Sequence, residues 1–187
     1  YNVVVGDEAG TALTTGDYNT SLGFEALKAT TDRNSNVAVG AQVLFTNVNG
    51  AKATAVGTAA LYTQNPATDV DTYNVAVGFE AGKLVTTGTN NTLVGALAGD
   101  ALTTSGFNTA VGSEALTSAT TATSNTAIGR SALATNILSS QNTAVGLNAL
   151  TTHNQATAVD SLNTAVGFAA GAAVTTGLKN VLVGALA

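Results

Sequence analysis

No cysteine, methionine or tryptophan occurs among the 187 residues, and proline occurs once, at Pro66. The lack of cysteine excludes a disulfide framework and thiol chemistry, although it identifies no compartment. Charged residues make up only 9% of the chain, against about 25% in an average globular protein. The six basic residues, Lys28, Arg33, Lys52, Lys83, Arg130 and Lys179, are scattered through a chain of net charge -5. Nucleic acid is therefore a poor partner, because no basic stripe exists to neutralise phosphates. No apolar run approaches the roughly 18 residues of a membrane span. No signal peptide is visible, and a targeting segment would lie outside these residues. Disorder is also excluded, since 45% hydrophobic residues with so small a net charge lie outside the polar, highly charged regime that cannot form a core.

What is present is repetition, which takes precedence over local propensity. The stretch Asn108–Leu116, N-T-A-V-G-S-E-A-L, recurs in recognisable form eleven times. Its first residue falls at Asn2, Asn19, Asn36, Ala53, Asn74, Asn91, Asn108, Asn125, Asn142, Asn163 and Asn180, in steps of 17 residues with two steps of 21. The glycine four residues later is present in every copy, from Gly6 to Gly184. Counting that first residue as coil position one, position four is always Val, Ile or Leu, position two is Thr or Val, and position three is mostly Ala.

A longer period of 89 residues lies above the first, with super-repeats at 2–90 and 91–179 and a third beginning at 180. Asn65–Asp71 aligns with Asn154–Asp160, and position nine runs Gly10, Leu27, Leu44, Leu61, Gly82, then Gly99, Leu116, Leu133, Leu150, Gly171. Where position nine is Gly, a Leu or Val follows three places later (Leu13, Val85, Leu102, Val174). These are two ways of filling one corner of the same coil. Continuation of this period predicts Gly at residue 188.

A unit of 17 residues cannot bury its apolar face alone and must stack on its neighbours. The expected fold is a parallel β-solenoid of eleven coils, all-β or β with short helical turns, forming one domain over 1–187. Positions two and four form one β-branched face of a short parallel strand, with position three on the other. The Gly suits a sharp bend, and the Asn side chains suit a ladder along the stack. Segments such as F-E-A-L-K-A at 24–29 carry helix formers, so a single helical turn or a second short strand is expected there. At about 4.8 Å per coil the rod is roughly 50 Å long. With small residues at positions three and eight and few charges, those alanines are expected to let parallel chains pack closely. The terminal coils carry no charged or proline-rich cap, so the chain is expected either to continue or to stack end to end.

The repeats at Asn74–Gly82, Asn125–Leu133 and Asn142–Leu150 resemble tandem repeats of bacterial surface adhesins and phage tail fibres. They are also similar to the shorter N-S-x-A-I-G repeats in the heads of trimeric autotransporter adhesins. The resemblance implies a homo-oligomeric fibre, a trimer in the adhesin heads, lying outside the cell on a cell surface or virion. The coils here are 17 or 21 residues rather than about 14, with Thr in place of Ser after the Asn, and no binding residue carries over.

No catalytic, cofactor-binding or metal-binding residue stands out. The chain lacks G-x-S-x-G, H-E-x-x-H and Walker sequences, and its glycines are spaced by the coil. His153, the only histidine, aligns with Gln64 and is expected in a solvated loop. Asp69 and Asp71 lie close together, yet only Asp71 has an acidic counterpart, Asp160, so solvated turn residues are expected rather than a calcium site. The Glu column (Glu8, Glu25, Glu80, Glu114) is interrupted often enough to read as a solvated rim. A stacked Thr face would order water and bind ice, but a regular T-x-T array is missing. The expected function is a structural, non-enzymatic shaft whose partners are copies of itself, side by side or end to end, serving attachment. The rival binding reading is an adhesin head contacting a glycan or cell surface through loops 62–73 and 151–162. A polysaccharide lyase or hydrolase would need clustered acids and bases along a groove, and the sequence has none.

Overall fold

The computed structural model describes residues 1–187 and contains strands and turns but no helix. Strands β1 (Val3–Val5), β2 (Thr20–Leu22), β3 (Val37–Val39), β5 (Thr54–Val56), β7 (Val75–Val77) and β8 (Thr92–Val94) begin an eleven-stranded parallel sheet. It continues through β9 (Thr109–Val111), β10 (Thr126–Ile128), β11 (Thr143–Val145), β12 (Thr164–Val166) and β13 (Val181–Val183). Every pair is in register at motif positions two, three and four, as in Thr109↔Thr126, Ala110↔Ala127 and Val111↔Ile128. The expected parallel β-solenoid is the fold. The 21-residue coils add β4 (Gly50–Ala51) paired with β6 (Val70–Asp71), and a single bridge from Ser140 to Asp160 at the equivalent place. Each insertion thus returns to the wall after three exposed residues, 67–69 or 156–158.

The interior is narrow. Position three (Ala38, Ala55, Ala76, Ala110, Ala127, Ala144, Ala165) and position eight (such as Ala26, Ala81, Ala115, Ala149) are fully buried within the single chain. The expectation that these alanines form the surface between chains is overturned. A coil this short places its two sides so close that only Ala on the strand fits opposite Leu at position nine. Leu27, Leu44, Leu61, Leu116, Leu133 and Leu150 fill that place without exposure, each burial contributing roughly 1.5–3 kcal/mol.

The 89-residue period is a packing rule. Position three is Leu rather than Ala at Leu93 and Leu182, with Gly at position nine on both sides of the first (Gly82 and Gly99) and beside the second (Gly171). Leu93 lies between Gly82 and Gly99, where an added Cβ would come within 2.6 Å and 2.8 Å of its methyl groups. Leu182 stands in the same relation to Gly171. Leu102 and Val85, three residues after those glycines, are fully buried and complete the corner. One large residue moves from one wall to the other, and the enclosed volume is kept.

The second half of each coil is neither a helical turn nor a named strand. Ala115 N–H donates to Gly112 O at 3.2 Å, closing a turn whose third residue, Glu114, has φ 58°. Leu116 is left-handed as well, at φ 56°, and its N–H donates to Ala132 of the next coil at 2.9 Å. The expected helical turn fails because alternate residues are left-handed, which no right-handed helix accommodates. The amides are spent between coils instead. Left-handed non-glycine residues recur at positions seven and nine and at the residue before each Asn (Tyr18, Ser35, Phe107, Ser124). This strain is held in place by the stacked coils on either side.

The Asn column is a ladder with two functions. Asn108 Oδ1 accepts the backbone N–H of Asn125 in the next coil at 3.0 Å. Its Nδ2 donates to the carbonyl of Ala122 in its own coil, also at 3.0 Å. The side chain therefore closes its own coil and fixes the next, and the same pair of bonds recurs at Asn19, Asn91 and Asn125.

Candidate functional site

Because position three points inward, positions two and four point outward. They form two straight rows: Thr92, Thr109, Thr126, Thr143 and Thr164 beside Val94, Val111, Ile128, Val145 and Val166, all partly or fully exposed. Side chains just outside the strands border these rows. On one edge stand Tyr18, Tyr73, Phe107 and Leu162, interspersed with polar residues such as Lys52 and Gln141, and on the other Phe24, Phe79, Leu147 and Phe168, interspersed with Ser113 and Arg130; the eight apolar side chains are exposed. Phe107 is 67% exposed and Phe79 54%. Most of the exposed large apolar side chains of the chain lie on this one face. A strip about 50 Å long and about 15 Å wide offers on the order of 750 Å², part of it the polar Thr row. The flat outer sheet was legible as a β-branched face, whereas the aromatic borders were not singled out from the sequence. Their signal was the recurrence of Phe24, Phe79 and Phe168 directly after the motif Gly.

The polar candidates are placed differently from one another. His153 is fully buried, contrary to the expected solvated loop. It sits at position twelve, a core column, because the four-residue insertion comes after it in the coil. Its Nε2 lies 3.5 Å from Asn163 Nδ2, and its Nδ1 has no partner. Burial holds its pKa below the ordinary value of 6.5. The counterpart Gln64 is buried likewise, and its Oε1 accepts a hydrogen bond from Asn74 Nδ2 at 2.8 Å.

Asp69 and Asp71 do not converge. Asp69 pairs with Arg33 at 2.9 Å and Asp71 with Lys52 at 2.7 Å, both carboxylates being well exposed. The Lys52 ammonium holds the Asp71 carboxyl below its usual range, helped by the Tyr73 hydroxyl. Asp160 is an exposed residue at the bridge to Ser140. In the Glu column, Glu114 is exposed, while Glu25 is bonded to Lys28 at 2.6 Å and to Gln42 at 2.8 Å. These two partners lower the Glu25 pKa, Lys28 the more strongly. No three acidic, histidine or cysteine residues come together as a metal-binding group.

On the far side of the core from the strands, position ten carries Lys28, Phe45, Tyr62 and Lys83 in successive coils. The Phe45 and Tyr62 rings stack at 5.0 Å and 5°. The Lys28 ammonium stands 5.5 Å from the Phe45 ring centre. Comparison with protein-family models, curated proteins and solved structures finds no match.

Proposed function

We propose that this chain is a shaft segment of a homo-oligomeric extracellular fibre used for attachment, built by joining the strand faces of parallel copies. The observation that supports this reading is the aromatic-bordered Thr/Val strip. Its area is close to the roughly 800 Å² that each partner contributes to a stable interface, and it exposes aromatic side chains of the kind enriched in such interfaces. Aligned copies match rung for rung, because every coil presents the same two positions. The trimer implied by the adhesin-head resemblance would close three such faces around one axis, leaving the far side of each solenoid in solvent. Ice binding through the Thr row is less well supported, since Val37 and Val75 interrupt it and aromatic rings rise along both borders.

The test is sedimentation equilibrium of the purified chain. The expected result is a stable oligomer that Val111→Lys combined with Ile128→Lys converts to a folded monomer, judged by an unchanged circular dichroism spectrum. A monomeric parent chain at micromolar concentration would overturn the assembly and, with it, the shaft.

A further inference from the structure

We propose that one internal water molecule is bound where Ser139, His153 and Ser161 meet, fastening both ends of the second insertion to the coil beneath. All three side chains are fully buried. Ser139 Oγ, His153 Nδ1 and Ser161 Oγ each lack a hydrogen-bond partner in the chain. A buried polar group left unpaired is costly, and internal waters sit where about three such groups converge.

The nearby backbone is already served. Ser139 N–H donates to Asn136 Oδ1 at 3.1 Å, and the Ser139 carbonyl accepts from Asn136 Nδ2 at 2.8 Å and Asn125 Nδ2 at 3.0 Å. Ser161 N–H donates to Ser140 O at 3.0 Å, and the Ser161 carbonyl accepts the Lys179 N–H at 2.8 Å. His153 Nε2 faces the Asn163 amide donor at 3.5 Å, which makes Nε2 the acceptor and leaves Nδ1–H as a donor. The Thr175 carbonyl acts on the ring, but it already accepts the Asn154 N–H at 2.9 Å.

One super-repeat earlier the same three places hold Gly50, Gln64 and Thr72, and there they adjoin. A Cβ added at Gly50 would stand 3.1 Å from Gln64 Nε2 and 3.2 Å from Thr72 Cγ2. The backbone is held alike in both copies, since Asn47 Nδ2 donates to Gly50 O at 2.8 Å just as Asn136 Nδ2 does to Ser139 O. The polar demand is different. Gly50 brings no side chain, Thr72 Oγ1 donates to Ala51 O at 3.1 Å, and Gln64 Oε1 is bonded to Asn74. Only Gln64 Nε2 is left over there, against three groups in the second copy.

A water supplies two donors and two acceptors. It accepts His153 Nδ1–H and one serine hydroxyl, and donates to the other serine oxygen. Ser139 belongs to the coil beneath, His153 precedes the insertion and Ser161 follows it, so the three bonds tie both ends down. The first insertion is held by the ion pairs Arg33–Asp69 and Lys52–Asp71. Their counterparts, Ala122 with Ala158 and Gln141 with Asp160, form none. The site lies inside one chain and does not rest on the proposed assembly.

A high-resolution crystal structure of the full chain, with water–proton NOE spectra in solution, tests the site. The expected result is a water about 2.5–3.2 Å from His153 Nδ1 and both serine hydroxyls, with long-lived water NOEs to protons of Ser139 and Ser161. Ser161→Thr, which restores the methyl of Thr72, should abolish both signals. The triple variant Ser139→Gly, His153→Gln, Ser161→Thr should do the same. It copies side chains that the fold already accommodates in the first super-repeat, which guards against misreading a folding defect. Direct bonding among the three side chains with no water between them, or water signals unchanged in both variants, overturns the proposal.

Discussion

Gln64 and His153 occupy the same buried place in successive super-repeats, and each side chain faces the marker Asn of the next coil. Gln64 Oε1 accepts from Asn74 at 2.8 Å, and His153 Nε2 lies 3.5 Å from Asn163 Nδ2. Only the neutral imidazole has a lone pair for that donor. Protonation would set N–H against N–H inside the core.

The consequence is a pH-dependent stability confined to the second super-repeat. Burial lowers the folded pKa of His153 below 6.5, so the unfolded chain binds the proton more readily. Stability is therefore full above about pH 6.5 and declines as pH falls through and below that value. His153→Gln, which copies Gln64, should flatten the thermal-midpoint profile between about pH 6.5 and 5. An unchanged slope would mean that the ring escapes to solvent on protonation.

Gly112 has φ 137°, and an added Cβ would stand 2.6 Å from the backbone of Gly129. Neither the backbone conformation nor the space admits a side chain. Gly112→Ala should cost about 2–4 kcal/mol by urea denaturation, whereas Ser113→Ala, at the exposed neighbour, should stay within about 0.5 kcal/mol.

The exchange of volume between positions three and nine can be engineered. Ala110→Leu should overpack the core against Leu116 and destabilise by about 1–3 kcal/mol. Adding Leu116→Gly recreates the arrangement seen at Leu93 and Gly99, and glycine suits the left-handed conformation at 116 (φ 56°). The double variant should recover part of the loss, and a cycle with no coupling would refute the packing rule.

Asn108→Ala removes the acceptor for the Asn125 amide and the donor to the Ala122 carbonyl. Leaving these buried backbone groups unpaired should cost about 1–3 kcal/mol. Hydrogen exchange should accelerate most at the Asn125 amide, with coils several steps away little affected, because each coil touches only its neighbours.

Much of the architecture was legible because repetition is a one-dimensional signal. The Asn and Gly columns set the phase, and both 21-residue steps located the insertions that β6 and the Asp160 bridge now occupy. The Gly-type and Leu-type coils were visible as alternative fillings of one corner, although the part played by Leu93 was not. The E-A-L segments misled because helix propensity reflects the residue alone, while the left-handed φ at Glu114 and Leu116 is imposed by the coils above and below. The Phe45 column went unremarked because its members sit 17 and 21 residues apart. Their adjacency exists only once the coils stack.

The sequence by itself determined the period, the register and the parallel stacking, since each follows from which residues recur and at what spacing. It also divided each strand into a β-branched row and an alanine row. Only the tertiary structure decided which row faces inward, because alternation separates two faces without assigning them. The enclosed width made that assignment. Between the strand and the returning half of a 17-residue coil there is room for Ala against Leu and not for Val and Thr, so the β-branched row faces out.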